Sequence, residues 1–303
     1  MPMQFPLYLI IPALSAVVYT VSSLLHKRGY DSGAGTLQTF HWANLIGIPF
    51  FLPMFFVQPE ALPLNELWRP ALTAGLIFLG SWSTFAAVKL GDVSMVTPIL
   101  GTKVVFVALG NMAIAGQQLS TALWIASALA TLGIMVIGKA DWKPGRAGGM
   151  AILLCLGSAF FFGLTDVLIG MWAQSHGGMT FLACIPQFIG LFSLIAVSLS
   201  PQPLLRLAPT SRRWVISGGL LLAAQGMAMG VALAFFNDTT GVNILYSTRG
   251  LWSLILVWFA GAWFANRERG NAGRITMIYR LAGTMLIFAG VVLAVMDRSE
   301  ASN

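Results

Sequence analysis

Charge is what this sequence has least of. Only 9% of its 303 residues are Asp, Glu, Lys or Arg, against about a quarter in a soluble domain, whose surface water must solvate. With 57% of the residues hydrophobic, most of the surface is expected to meet lipid. Acid is scarcer than base: ten Asp and Glu stand against seventeen Lys and Arg, a net charge of +7. In a water-soluble chain that excess would invite nucleic acid. Here the basic residues sit in short loops between apolar runs, so membrane orientation accounts for them and no nucleic acid is expected as a partner.

Reactive side chains are few as well. Both cysteines, Cys155 and Cys184, lie inside apolar runs and read as small buried hydrophobes, not as a disulfide or a metal site. The three histidines have no metal-ligand spacing, and no metal is expected. Paired Asp residues, a Ser/His pair and a His-Glu-x-x-His helix are all missing, so the chain does not read as an enzyme. The phosphate-binding pattern G-x-x-x-x-G-K-[ST] is also missing, which excludes direct ATP coupling within this chain and leaves no cofactor to expect. The first apolar run, 7–25, has no basic segment before it and no A-x-A site after it, so it is expected to stay as a helix.

Long apolar runs, in contrast, are abundant. A hydrocarbon core of ~30 Å needs roughly 20 apolar residues per helical crossing. Runs of that length occupy 7–25, 37–57, 70–88, 94–115 and 121–138, and after a polar stretch at Lys139–Arg146 five more occupy 149–172, 179–199, 214–234, 240–264 and 275–296. They are too long and too continuous for barrel strands. The expected fold is an all-α integral membrane protein of ten transmembrane helices, with no room for a soluble domain. Loop charges support the count. With both termini and the even-numbered loops on one side, that side holds only Arg69 and Arg298, and the other holds thirteen Lys and Arg. The positive-inside rule then puts both termini on the non-cytoplasmic side of a cell membrane.

An internal match divides the chain at 1–141 and 142–303. Gly91-Asp-Val-Ser-Met-Val-Thr-Pro-Ile-Leu-Gly-Thr-Lys103 aligns with Asn237-Asp-Thr-Thr-Gly-Val-Asn-Ile-Leu-Tyr-Ser-Thr-Arg249 at a constant offset of 146. Asp92 matches Asp238, Val96 matches Val242, and Thr102-Lys103 matches Thr248-Arg249. The last run of each half carries a glycine motif, Leu132-Gly-Ile-Met-Val136 and Ala289-Gly-Val-Val-Leu293. Five spans per half make the halves oppositely oriented: two inverted five-helix repeats forming one membrane domain, the plan on which alternating access operates.

This pattern resembles the drug/metabolite transporter superfamily and is similar to its ten-helix EamA-type members. Members often carry Gly-Glu after the fourth helix of each half, where this chain has Gly116-Gln117-Gln118 and Asn266-Arg267-Glu268. The resemblance implies a secondary active transporter in the cytoplasmic (inner) membrane, with a small-molecule substrate and the bilayer as its partners. Coupling to protons or to a counter-substrate would drive it.

Two cations lie at helical depth where charge is costly. Lys103 and Arg249 each sit near the middle of an apolar run, where a cation costs at least ~2.5–3.5 kcal/mol and needs a cavity or a partner. Related translocators of triose phosphates and phosphoenolpyruvate bind their anionic substrates with basic residues on the fourth and ninth helices, which Lys103 and Arg249 match. The resemblance thus implies a small organic anion or zwitterion, bearing carboxylate or phosphate. The alternative is a broad-specificity exporter of amino acids, amphipathic metabolites or drugs, in which both cations are structural. Asp166 is the one acid well inside a run, and it could neutralise one cation or serve as the proton-coupling carboxylate. Tyr246, Asn243 and Trp82 are expected at the cavity because helices three, four and nine line it in relatives. Tyr19 is a further candidate, among polar residues such as Asn44, Ser81 and Gln225 that elsewhere simply bond neighbouring helices. Pro98 frees a carbonyl near Lys103 and has Ile244 as its match, so any break in the fourth span is expected to be absent from the ninth.

Overall fold

The computed structural model describes residues 7–57, 62–90, 93–116, 118–140, 146–260 and 274–301. Asp92, Gln117, Asp141 and Lys143, together with Asn266, Arg267, Glu268 and Arg269, lie outside the described residues. Among the described residues, twelve helices of eight residues or more carry the fold: α1 Ile10–Asp31, α2 Thr36–Phe51, α3 Trp68–Leu90, α4 Val93–Leu100, α5 Lys103–Ala113 and α6 Thr121–Ala140. They continue as α7 Arg146–Trp172, α8 Gly178–Leu199, α9 Pro209–Phe235, α10 Thr239–Tyr246, α11 Arg249–Ala260 and α12 Arg274–Ala301. No strand occurs among the described residues. Among the described residues, six helices are individually long and apolar enough to cross a membrane.

The fourth and ninth apolar runs are each split in two. α4 ends at Leu100 and α5 begins at Lys103; α10 ends at Tyr246 and α11 begins at Arg249. This corrects the expectation of an asymmetric break, for the two interruptions fall at matched positions. Pro98 lies within α4, ahead of the break. The turns are made by hydroxyls that the two segments share. Thr102 Oγ1 donates to the carbonyl of Ile99 at 2.8 Å, and Thr248 Oγ1 donates to that of Leu245 at 2.7 Å. Tight backbone bonds, Thr102 N to Ile99 O and Thr248 N to Leu245 O, close both turns. A side-chain hydroxyl competing with the helical ladder is a known cause of such bends.

Packing places the two broken runs across each other, since α4 packs on α11 and α10 packs on α5. Around them α1 runs along α9, α3 along α7, and α2 against α8 and α9. α6 and α12 form an outlying pair that meets backbone to backbone. A Cβ on Gly133 would lie 2.4 Å from the Gly283 carbonyl oxygen, and one on Gly283 would meet the Gly133 oxygen equally closely. Only glycine at both positions allows that crossing.

Many polar side chains are buried among the apolar core, while large apolar ones cover the outer surface. Ser15, Thr20, Ser22, Thr84, Asn111, Ser158 and Ser193 are buried, whereas Leu79, Ile125, Phe160, Ile195 and Phe288 are exposed on the outer surface. Buried hydroxyls are satisfied within or between helices, as where Ser158 Oγ donates to the Gly80 carbonyl at 2.8 Å. One end of the bundle gathers base. Lys27 Nζ donates to the Val88 carbonyl at 3.3 Å, and the Arg28 guanidinium lies 4.9 Å from the Trp214 ring centroid, beside Arg213 at 4.5 Å.

Candidate functional site

A cavity of about 210 Å³ lies between α1, α2, α3, α7, α8 and α9, with the breaks of the split spans at its floor. Lys103 and Arg249, the first residues of α5 and α11, both line it, as do Tyr19, Asp166 and Tyr246. These five side chains are each more than nine-tenths buried. Starting a half-helix at the cation puts its side chain at the level of the crossing.

The two cations have different partners. Lys103 Nζ meets Asp166 Oδ2 at 2.5 Å, both groups being buried. α7 reaches α5 this closely because Gly163, three residues before Asp166, has no Cβ; one built there would lie 2.7 Å from the Phe106 Cβ. Arg249 has no carboxylate within 4.0 Å among the described residues, and its Nε has no hydrogen-bond partner there. Its guanidinium lies instead over two aromatic rings, 4.6 Å from the Tyr246 centroid and 4.9 Å from that of Tyr19. Those rings meet edge to face at 6.0 Å and 75°. Lys103 Nζ also stands 5.1 Å from the Tyr246 ring, so both cations contact one tyrosine. Cation–π contact holds a charge in place without cancelling it, at about 0.5–2 kcal/mol.

Of the residues expected at the site, Lys103, Arg249, Asp166, Tyr246 and Tyr19 are brought together. Trp82 is not: it is 44% exposed, and α3 presents Ile77 and Ser81 to the cavity instead. A helix turns about 100° per residue, so the neighbour of an inward Ser81 points outward. Asn243 is buried but does not line the cavity; its Nδ2 donates to the Thr239 carbonyl at 2.9 Å and its Oδ1 has no partner among the described residues. Sequence reading missed Thr165, whose Oγ1 is likewise unpartnered among them, and it missed the apolar wall of Phe51, Phe162, Ile169, Leu222, Met229 and Leu233. The one signal for Thr165 is its place beside Asp166. The wall residues look like any other lipid-facing leucine or phenylalanine.

A second, smaller chamber of about 40 Å³ adjoins the cavity on the side of the basic end. Ser22, Ser23, His26, Tyr30, Thr84 and Val88 surround it, and Tyr19, Ser81, Phe162 and Leu222 border both spaces. No group of three or more His, Cys, Asp or Glu gathers to hold a metal among the described residues.

Residues 6–139 match the EamA-like transporter family. A solved structure, titled only as the crystal structure of a protein, superposes with a TM-score of 0.70 over 96% of this chain and 99% of its own, at 14% identity. That likeness shows a shared fold. No curated protein matches the chain significantly. The EamA-like match over 6–139, on a helical and largely apolar bundle, makes the first half of this multi-pass membrane protein similar to a family of transporters.

Proposed function

We propose that the protein is a secondary active transporter of a small organic anion or zwitterionic metabolite. Its two five-helix halves, 1–141 and 142–303, are inverted repeats that expose the central cavity alternately to either side of the cytoplasmic membrane. Both termini face away from the cytoplasm, and the basic end of the bundle is the cytoplasmic one. Arg249 is the anion receptor, with Tyr19 and Tyr246 as its aromatic support. The single observation behind this reading is a buried guanidinium, facing a cavity, with no carboxylate to neutralise it among the described residues. A cation held so deep in a membrane protein is costly unless some anion meets it. Asp166, a buried carboxylate on the cavity lining beside Lys103, is the proton-coupling candidate.

A second reading is a broad-specificity exporter of amphipathic molecules. The apolar lining and the neutralised Lys103 favour it. The test is flux of labelled organic anions, amino acids and lipophilic cations in proteoliposomes, with and without a proton gradient. Anion flux abolished by Arg249→Gln supports the first reading. Flux of lipophilic cations that survives in Arg249→Gln overturns it in favour of the second.

A further inference from the structure

Charge and shape at the cavity floor narrow the substrate beyond "organic anion". We infer that the site takes a monocarboxylate with an apolar body, in preference to a phosphate ester, an amino acid or a short hydrophilic acid. The inference rests on the transporter reading above and deepens it.

The charged residues lining the cavity are Lys103, Asp166 and Arg249. Lys103 and Asp166 cancel in direct contact, so the lining carries one uncompensated positive charge, on Arg249. A carboxylate balances that charge, and its two oxygens match the planar fork of a guanidinium. A phosphate monoester carries about −1.5 to −2 at neutral pH. It would bring a surplus negative charge into a space whose other walls are largely apolar, where unbalanced charge is costly. A zwitterion meets the opposite difficulty. Its ammonium needs an acceptor, and Asp166, the lining carboxylate, is already engaged by Lys103 at 2.5 Å.

The rest of the cavity selects for the body. Phe51, Phe162, Ile169, Leu222, Met229 and Leu233 face the space beyond the charged floor. A hydrophobic group attached to the carboxylate exchanges water for these side chains, whereas acetate leaves them unused. Tyr19 and Tyr246 hold the guanidinium at the cavity floor through ring contacts at 4.9 and 4.6 Å, and its Nε has no partner among the described residues.

The test is thermal unfolding of the full-length purified protein with five probes built around one aryl body. They are 3-phenylpropionate, phenyl phosphate, phenylalanine, phenethylamine and, without the body, acetate. Stabilisation by 3-phenylpropionate at concentrations at least tenfold below the other four is the expected result. Arg249→Gln should abolish that shift. Arg249→Lys, which keeps the charge but loses the fork, should require at least tenfold more ligand, and it serves alone if the Gln variant does not fold. Equal or stronger stabilisation by phenyl phosphate or phenylalanine overturns the monocarboxylate inference while leaving an anion or zwitterion site standing. Stabilisation by phenethylamine alone, or by none of the five, overturns both.

Discussion

Lys103 and Arg249 open equivalent half-helices 146 positions apart, yet only Lys103 meets a carboxylate among the described residues. α7 packs on the first broken run and delivers Asp166. α1 packs on the second and delivers Tyr19. A tyrosine face thus stands beside one cation where a carboxylate stands beside the other. The floor of the cavity is locally matched in shape and unmatched in charge.

The Lys103–Asp166 pair should respond to mutation as a unit. Lys103→Met or Asp166→Leu alone leaves a buried charge without its partner, at an expected cost of about 3–5 kcal/mol. The double variant replaces both by apolar groups and should recover most of that loss. Thermal or denaturant unfolding in one detergent gives the cycle; additive losses in the double variant would show that the contact is not coupled.

Arg249 behaves differently, because no carboxylate among the described residues is orphaned when it goes. Arg249→Gln should cost less unliganded stability than Lys103→Met. Its larger effect is on ligand: a stabilisation of ~2.7 kcal/mol, expected at a hundred times the dissociation constant, should vanish. A melting point that falls further than that of Lys103→Met would mean that Arg249 has a structural partner after all.

Tyr19 holds Arg249 by its ring, not by its hydroxyl. Tyr19→Phe keeps the ring and gives up the hydroxyl's contact with Ser23, at a cost of about 0.5–1.5 kcal/mol. Tyr19→Leu should lose the cation–π contact, about 0.5–2 kcal/mol, in addition to packing. The comparison of the two unfolding midpoints isolates the ring, and equal midpoints would remove it from the account.

Two glycine substitutions separate close packing from helix propensity. Gly133→Ala forces a methyl against the Gly283 carbonyl and should destabilise by about 1–3 kcal/mol through displaced backbone. Gly157→Ala, on α7 with nothing within 4 Å of the new methyl, should be neutral or stabilising by up to about 1 kcal/mol. Unfolding of both variants side by side is the measurement, and the order should not reverse.

The amino-acid sequence makes much of this legible. Apolar runs near membrane thickness announce the helices, because hydrocarbon leaves a spanning backbone little choice but to bond to itself. Lys103, Arg249 and Asp166 stand out because charge at such depth must be used or neutralised. The offset of 146 points to matched positions, but not to matched breaks. Pro98 draws attention to itself, while the turns are made by Thr102 and Thr248, whose hydroxyl bonds depend on backbone geometry that a sequence does not display. Trp82 fails for a related reason: Ser81 and Trp82 are adjacent in the sequence, and only the rotation of α3 decides which faces inward. The apolar wall is illegible because facing lipid and facing a cavity demand the same side chains.

Tyr19, Ser81, Phe162 and Leu222 border both the cavity and the smaller chamber, so the division between the two spaces is a single layer of side chains. If water joined each space to the opposite side of the membrane, the voltage would drop mainly over that layer and not over the full bilayer. A solute carrying one uncompensated charge would then do nearly all its electrical work in one short step, about 2.3 kcal/mol per 100 mV. Membrane potential would act on this protein at four side chains.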